Sequence, residues 1–308
     1  MDENVSLKEH SNYRIGGPAK FFVRADDAGS LWAAVAFAKE RRVPYFVLGG
    51  GTNVLVSDDG FDGVVIKPAI QFLETNDMMV RVGAGVFMSE LLEFVAGRGL
   101  SGLEWAGGLP GTVGGAVRGN AGAFGGETKD AVKEIISVDV SGTAPKVIRR
   151  RGAQCAFGYR NSIFKINNGK EIILEATFEL RKGDAKVIRE TIEQKIQYRN
   201  ERHPTEYPNI GSIFKNVPVA DVPKELHGAF AHVIKTDPFP VVPTAYLISE
   251  AGLRGTRIGG AMVSEKHPNF IVNAGSARAD EVKLLIGQVK SAVRKKYGIA
   301  LEEEVLYL

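Results

Sequence analysis

The sequence predicts an α+β protein of two or three domains, and three observations carry that reading. With 308 residues, the chain is about twice the ~150 that one domain commonly takes, enough to bury a sizeable core. Its strand-like and helix-like segments form a short α/β unit and then give way to β-rich stretches and turns, without the repeating strand–helix alternation of a doubly wound sheet. Between Trp105 and Glu127 it holds nine glycines in 23 residues, with Arg118 the only charge inside. Each interior glycine costs roughly 0.5–1 kcal/mol relative to alanine, so this run reads as a ligand cradle rather than an ordinary core element.

Taken in order, Ala19 to Arg24 is a predicted strand and Asp27 to Arg42 an alanine-rich helix with an acidic start and a basic end, matching the helix dipole. Strands are expected at Val43 to Leu48 and Gly63 to Lys67, closing the first unit near Pro68. The second opens with Met79 to Val82, followed by a short helix at Ser89 to Ala96, the glycine cradle, and strands at Glu134 to Val140 and Glu171 to Leu180. After three linking residues, Asp184 caps a helix that Pro204 ends. The third unit has helices at Thr244 to Ala251 and Asp280 to Tyr297. Five prolines, at 218, 223, 238, 240 and 243, make Val217 to Pro243 mostly irregular, and Glu303 to Tyr307 reads as a last strand.

Composition excludes several classes. A formal charge of +3, from 39 basic and 36 acidic side chains, gives no pull toward nucleic acid, and Arg149, Arg150 and Arg151 read as a solvated strand end. Cys155 is alone, hence a small buried hydrophobe without a disulfide. The five histidines are scattered without a zinc pattern, so no metal is expected. The polar start MDENVSLKEH and the absence of a long apolar run predict a cytoplasmic protein without membrane insertion, and no obligate protein partner is evident.

A second glycine cluster, Gly49, Gly50 and Gly51 with Thr52 and Asn53, directly follows the apolar run Tyr45 to Leu48. Bare backbone amides bind anions, above all phosphates, and two such nests suit an extended flavin dinucleotide, with tight turns between strands as the alternative. Neither GxGxxG nor GxxxxGK[ST] is present. Gly211-Ser212-Ile213-Phe214-Lys215-Asn216 sets a hydroxyl beside a glycine with a cation close behind; it is no nucleophile elbow, and a turn serine is the alternative. Arg160, in the turn Phe157 to Ser162, could clamp a carboxylate or pair at the surface. In the run Glu302 to Glu304, strand alternation lets one carboxylate point inward, with a merely solvated end as the alternative. Arg199 and Arg202 share one face of their helix.

Together these strings resemble the UDP-N-acetylenolpyruvoylglucosamine reductase family. The likeness runs through NYRIGGPA (Asn12 to Ala19), VLGGGTNVLV (Val47 to Val56), GLPGTVGGAV, NAGAFGGE, GYRNSIFK (Gly158 to Lys165), GSIFKN (Gly211 to Asn216), LISEAGLRG (Leu247 to Gly255), IGGAMVSEKHPNFIVN (Ile258 to Asn273) and LEEEV (Leu301 to Val305). It implies a two-subdomain FAD-binding fold of the vanillyl-alcohol-oxidase (PCMH) type, at 1–70 and 71–200, a substrate-binding domain at 201–300, and a terminal strand at 301–308. It further implies non-covalent FAD on Gly49, Gly50, Gly51, Thr52 and Asn53, with Gly115, Ala121 and Gly122 in the second nest. NADPH is the implied co-substrate and a UDP-sugar the substrate. Ser212 is the implied general acid, with Arg160 and Glu304 as electrophilic partners. Tyr159, Lys215, Asn216 and His267 are implied substrate contacts, as is Arg202. The three-residue link before Asp184 leaves no room for the tyrosine-bearing loop of one subgroup, so a loop-lacking second type is expected, with Arg199 or Arg202 on the UDP diphosphate. Another FAD-dependent oxidase or dehydrogenase, and a non-catalytic sugar-nucleotide-binding protein, stay as alternatives on these residues.

Overall fold

The computed structural model describes residues 1–236 and 239–308; Pro238, one of the five prolines above, lies outside them. The chain divides into two compact units. One comprises residues 1–5, 19–50 and 61–199, and the other 6–18, 51–60 and 200–308.

The first unit contains two main sheets and two short two-stranded ladders. A four-stranded sheet runs Asp2–Ser6, Pro18–Ala25, Phe61–Pro68, Tyr45–Val47, with the last three strands parallel. The helix Ala28–Arg41 is the crossover that parallel strands require. It starts where Asp27 and Ser30 exchange a capping box and ends on Arg42 in the left-handed region, φ 55°. Leu31, Ala34, Val35 and Ala38, spaced i, i+3, i+4, i+7, face a core shared with Val64, Ile66, Val138, Ile172 and Leu174.

The second sheet is antiparallel, ordered Lys146–Arg151, Val132–Asp139, Glu171–Glu179, Met79–Gly83, Leu73–Asn76. It is covered on both faces: Ile172 and Leu174 enter the core just named, whereas Ile173, Ala176 and Phe178 join Val80, Val82, Leu91, Val113 and Val117 in another. The helix Met88–Ala96 packs Met88, Leu91, Leu92 and Val95 into that second core.

Three sequence expectations change here. The glycine cradle is partly helical: Val113–Gly119 forms two turns because Val113, Ala116 and Val117 fall on one side and are buried, and Thr112 caps them. Arg149 and Arg151 are the exposed strand end expected, but alternation along the strand turns Arg150 inward onto Glu171, whose side chain is 3% exposed, with bonds of 2.9 and 3.0 Å to its two oxygens. The three-residue link before the long helix Ala185–Arg202 is itself a strand, Arg181–Lys182, paired antiparallel with Leu100–Ser101. Cys155 is buried, and burial pushes its thiol up to about 11.

In the second unit the helix Ala279–Tyr297 buries Val282, Leu285, Ile286, Val289 and Val293 against a core that includes Ala261, Val263 and Ile271 of a three-stranded antiparallel sheet. Each such side chain contributes roughly 1.5–3 kcal/mol. The early segment 6–18 is built into the same core. Tyr13 is fully buried, donates its hydroxyl to the Ile271 carbonyl at 2.7 Å, and its own carbonyl accepts from the Asn273 side chain. The proline-rich segment is more regular than expected: among its described residues it carries the short helical turns Val219–Asp221, Lys224–Leu226 and His227–Phe230, and it is closed at its ends by an antiparallel pairing of Val217–Pro218 with Val241–Val242. No helix among the described residues is long and apolar enough to cross a membrane.

Candidate active site

After the strand Tyr45–Val47 the chain leaves regular structure, and the five consecutive amides of Gly49, Gly50, Gly51, Thr52 and Asn53 donate no hydrogen bond to any described residue. A Cβ on Gly50 would lie 2.7 Å from the Gly111 Cα, and one on Gly49 would lie 2.9 Å from the Thr112 hydroxyl. The two glycine runs, some sixty residues apart in sequence, therefore touch main chain to main chain. Packing explains those glycines. Gly119 has nothing within 4 Å of such a Cβ, so packing does not explain it. A run of undonated amides beside a second glycine-rich segment is the donor set that a diphosphate requires, and FAD fits the residues present.

The turn carrying Tyr159 and Arg160 is stitched to the second nest. Gly158 and Asn161 exchange backbone bonds of 3.0 and 3.1 Å, which forces Arg160 into the left-handed region at φ 53°, a conformation side chains other than glycine seldom adopt. Arg160 Nη2 donates to the Gly122 carbonyl at 3.0 Å and its guanidinium lies 5.2 Å from the Tyr159 ring. The Asn120 side chain donates to the Gly158 carbonyl, and the Ser162 hydroxyl donates to the Arg118 carbonyl at 2.6 Å. Burial lowers the Arg118 guanidinium below its ordinary value. Arg199 Nε donates to the Gly107 carbonyl at 2.8 Å and its guanidinium sits 5.2 Å from the Phe124 ring, while its Nη2 is buried without a partner. Burial first, and the Arg160 charge second, hold it below the ordinary arginine value. Arg118, Arg160 and Arg199 all belong to this first unit.

In the second unit, Ser212 follows Gly211, whose φ of +83° turns the chain, and the serine hydroxyl has no hydrogen-bond partner among the described residues. Beyond it the extended segment Ile213 to Lys215 is held from two sides. Ile213 N donates to the Asn269 carbonyl at 2.8 Å, and the Asn269 side chain both accepts from Phe214 N (3.0 Å) and donates to Phe214 O (2.8 Å). From the other side, Glu304 N donates to Ile213 O at 2.8 Å and Lys215 N to Glu302 O at 2.9 Å. Ser212 and Glu304 are thus brought onto neighbouring chains. The Lys215 ammonium pairs with the Glu302 carboxylate, and Thr244 holds the next two residues, accepting nothing itself from them: its hydroxyl donates to Lys215 O at 2.6 Å and its N–H to the Asn216 side chain at 3.2 Å.

His267 lies 5.4 Å from His203, ring to ring. Its Nδ1 is buried without a partner, and burial lowers the imidazole to about 4. Arg199 and Arg202 lie on the same helix, Ala185–Arg202, but differ in burial: the first is half-buried and the second exposed. Asn269 and Thr244 were given no role by the sequence reading. An asparagine after proline reads as a turn residue, and nothing local announces a clamp on a segment 55 positions away.

The amide nest suits a diphosphate-bearing ligand, and the chain's likeness to known proteins makes it an FAD-binding oxidoreductase. Residues 19–147 match an FAD-binding domain, and residues 203–308 match the C-terminal domain of UDP-N-acetylenolpyruvoylglucosamine reductase. The chain is 38% identical over its full length to the UDP-N-acetylenolpyruvoylglucosamine reductase of Solibacter usitatus, covering 96% of that protein. It is 41% identical over 97% of its length to that of Geobacter sulfurreducens, covering 91%. The crystal structure of the Thermus caldophilus reductase superimposes with a TM-score of 0.76 at 31% identity, with 99% of this chain and 98% of that one covered. The chain belongs to the UDP-N-acetylenolpyruvoylglucosamine reductase family.

Proposed function

We propose that this protein reduces the enolpyruvyl ether of UDP-N-acetylglucosamine enolpyruvate to UDP-N-acetylmuramate, a step of peptidoglycan precursor synthesis, with NADPH as reductant and Ser212 as proton donor. The observation that carries this reading is the unpartnered Ser212 hydroxyl on an extended segment clamped by Asn269 and backed by Glu304. Bound FAD, held by the amides of Gly49 to Asn53 with Gly115, Ala121 and Gly122 lining the second nest, supplies hydride chemistry between nicotinamide and the vinyl group.

The residues of the chain do the rest. Hydride gained at the terminal vinyl carbon leaves negative charge on the adjacent carbon and its carboxylate, where a guanidinium and a protonated carboxyl lower the energy of the charge as it grows. Arg160 serves as the first and Glu304 as the second. Ser212 Oγ gives its proton to that adjacent carbon, so hydride and proton together saturate the double bond; the alkoxide is reprotonated from solvent. A hydroxyl is a weak acid in water, but a carbanion-like acceptor within hydrogen-bond reach takes its proton. Arg199, with a buried unpartnered nitrogen, suits the UDP diphosphate better than the exposed Arg202. Tyr159, Lys215, Asn216 and His267 complete the proposed substrate contacts.

The test is to purify the protein and follow NADPH oxidation with and without the enolpyruvyl sugar nucleotide while recording the flavin spectrum. Substrate-stimulated oxidation is expected, and Ser212→Ala should retain flavin reduction by NADPH while slowing substrate reduction at least roughly 10²-fold. Colourless protein, or wild-type turnover in Ser212→Ala, overturns the reading or the role of the serine, respectively.

A further inference from the structure

The last seven residues change partner at Glu304. Before it, the tail bonds to the extended segment after Ser212, through Lys215 N to Glu302 O and Glu304 N to Ile213 O. After it, the tail bonds to the segment that follows the glycine nest: Leu306 N donates to Asn53 O at 3.1 Å and Leu308 N to Leu55 O at 3.0 Å. Leu306 and Tyr307 also run parallel to Val54 and Leu55. The Glu304 peptide is the crossing point, its N–H held by Ile213 and its carbonyl accepting from Asn53 Nδ2 at 3.1 Å.

Asn53 is thus committed three ways. Its side-chain amide grips Glu304, its carbonyl takes the Leu306 N–H, and its own N–H is the last of the five undonated amides. We propose that Asn53 is a positioning residue through which FAD occupancy of the nest sets the placement of Glu304. An anion that orders the peptide between Thr52 and Asn53 also fixes the side chain that holds the Glu304 carbonyl. The entropy of ordering the tail is then shared between the two events. Coupling of this kind is reciprocal: whatever factor FAD adds to the order of the tail, the intact clamp adds to FAD affinity. The catalytic meaning of a placed Glu304 rests on the reductase reading; the coupling itself does not.

Amide hydrogen exchange of the full-length protein, stripped of FAD and reloaded, tests this without reference to turnover. FAD should slow exchange at Glu304, Leu306 and Leu308 by on the order of 10-fold, the effect of one hydrogen bond, and Asn53→Ala should abolish that FAD-dependent protection. The FAD dissociation constant of Asn53→Ala, read by flavin fluorescence, should rise by the same factor, and kcat for the enolpyruvyl substrate should fall with KM little changed. Equal exchange with and without FAD in the wild type overturns the proposal and requires no variant to fold. So does an Asn53→Ala protein whose tail is still protected by FAD, even if its FAD affinity is lower, because the side chain would then be a flavin contact only. A wild type that binds FAD and protects its tail but does not reduce the enolpyruvyl compound sinks the reductase reading and leaves the coupling standing.

Discussion

Replacing Asn269 by alanine removes the one side chain that holds both polar groups of a residue two places beyond Ser212. Two hydrogen bonds are lost, of 2.8 and 3.0 Å, each worth about 1 kcal/mol net. Phe214 is 2% exposed, so its N–H and carbonyl are left buried, and an unsatisfied buried group costs about 1–3 kcal/mol. Partial entry of water into the space left by the amide offsets some of this, giving an expected destabilisation of about 2–4 kcal/mol. The Ile213 bond to the Asn269 main chain survives, so the segment is loosened rather than released. A shift of about 1 Å in a reacting group costs on the order of 10²-fold in rate. Urea unfolding by circular dichroism reads the first effect, and single-turnover reduction of the enolpyruvyl sugar nucleotide by pre-reduced protein reads the second. A variant within about 0.5 kcal/mol of wild type that retains full turnover would refute the claim that this clamp places the serine.

His267 predicts acid sensitivity. Burial holds it at about 4, against 6.5 unperturbed, so below pH 6.5 the unfolded chain takes up the proton first and stability falls as pH drops toward 4. At about 1.36 kcal/mol per unit, the loss at pH 5 is roughly 2 kcal/mol at most. Urea midpoints of wild type and His267→Gln at pH 7.5 and 5 check it, and parallel pH dependences count against the assignment. Arg199→Gln removes a half-buried cation that feels the Arg160 charge and whose Nη2 has no partner. The apoprotein should lose no thermal stability, while KM for the UDP-sugar rises at least roughly 10-fold, the scale of a charge-assisted hydrogen bond. Unchanged UDP-sugar binding in the Arg199→Ala, Arg202→Ala double variant would remove both arginines from diphosphate recognition.

Much of the architecture could be read along the chain because it is local. The helix at 28–41 is announced by its alanine-rich run between an acidic start at Asp27 and a basic end, and the strands at 61–68 and 171–179 by the short apolar stretches Val64 to Ile66 and Ile172 to Leu174. The ladder at Leu73–Asn76 and the helix Val113–Gly119 escaped. The first is a short, mostly exposed edge strand, and in the second the glycine count masks three apolar residues that decide the outcome through packing.

What sequence alone determined are the residues able to do chemistry: the two glycine runs, the arginine in its turn, the lone hydroxyl after Gly211 and the carboxylate near the end. Backbone freedom and side-chain chemistry are properties of residues and survive without a fold. Tertiary structure alone decided what holds them. It set Asn269 astride Phe214, crossed the tail from the segment after Ser212 to Asn53 at Glu304, turned Arg150 onto Glu171, and left Arg199 Nη2 without a partner. Those are contacts between segments far apart in sequence. Their energy comes from excluding water around groups whose neighbours no local pattern specifies.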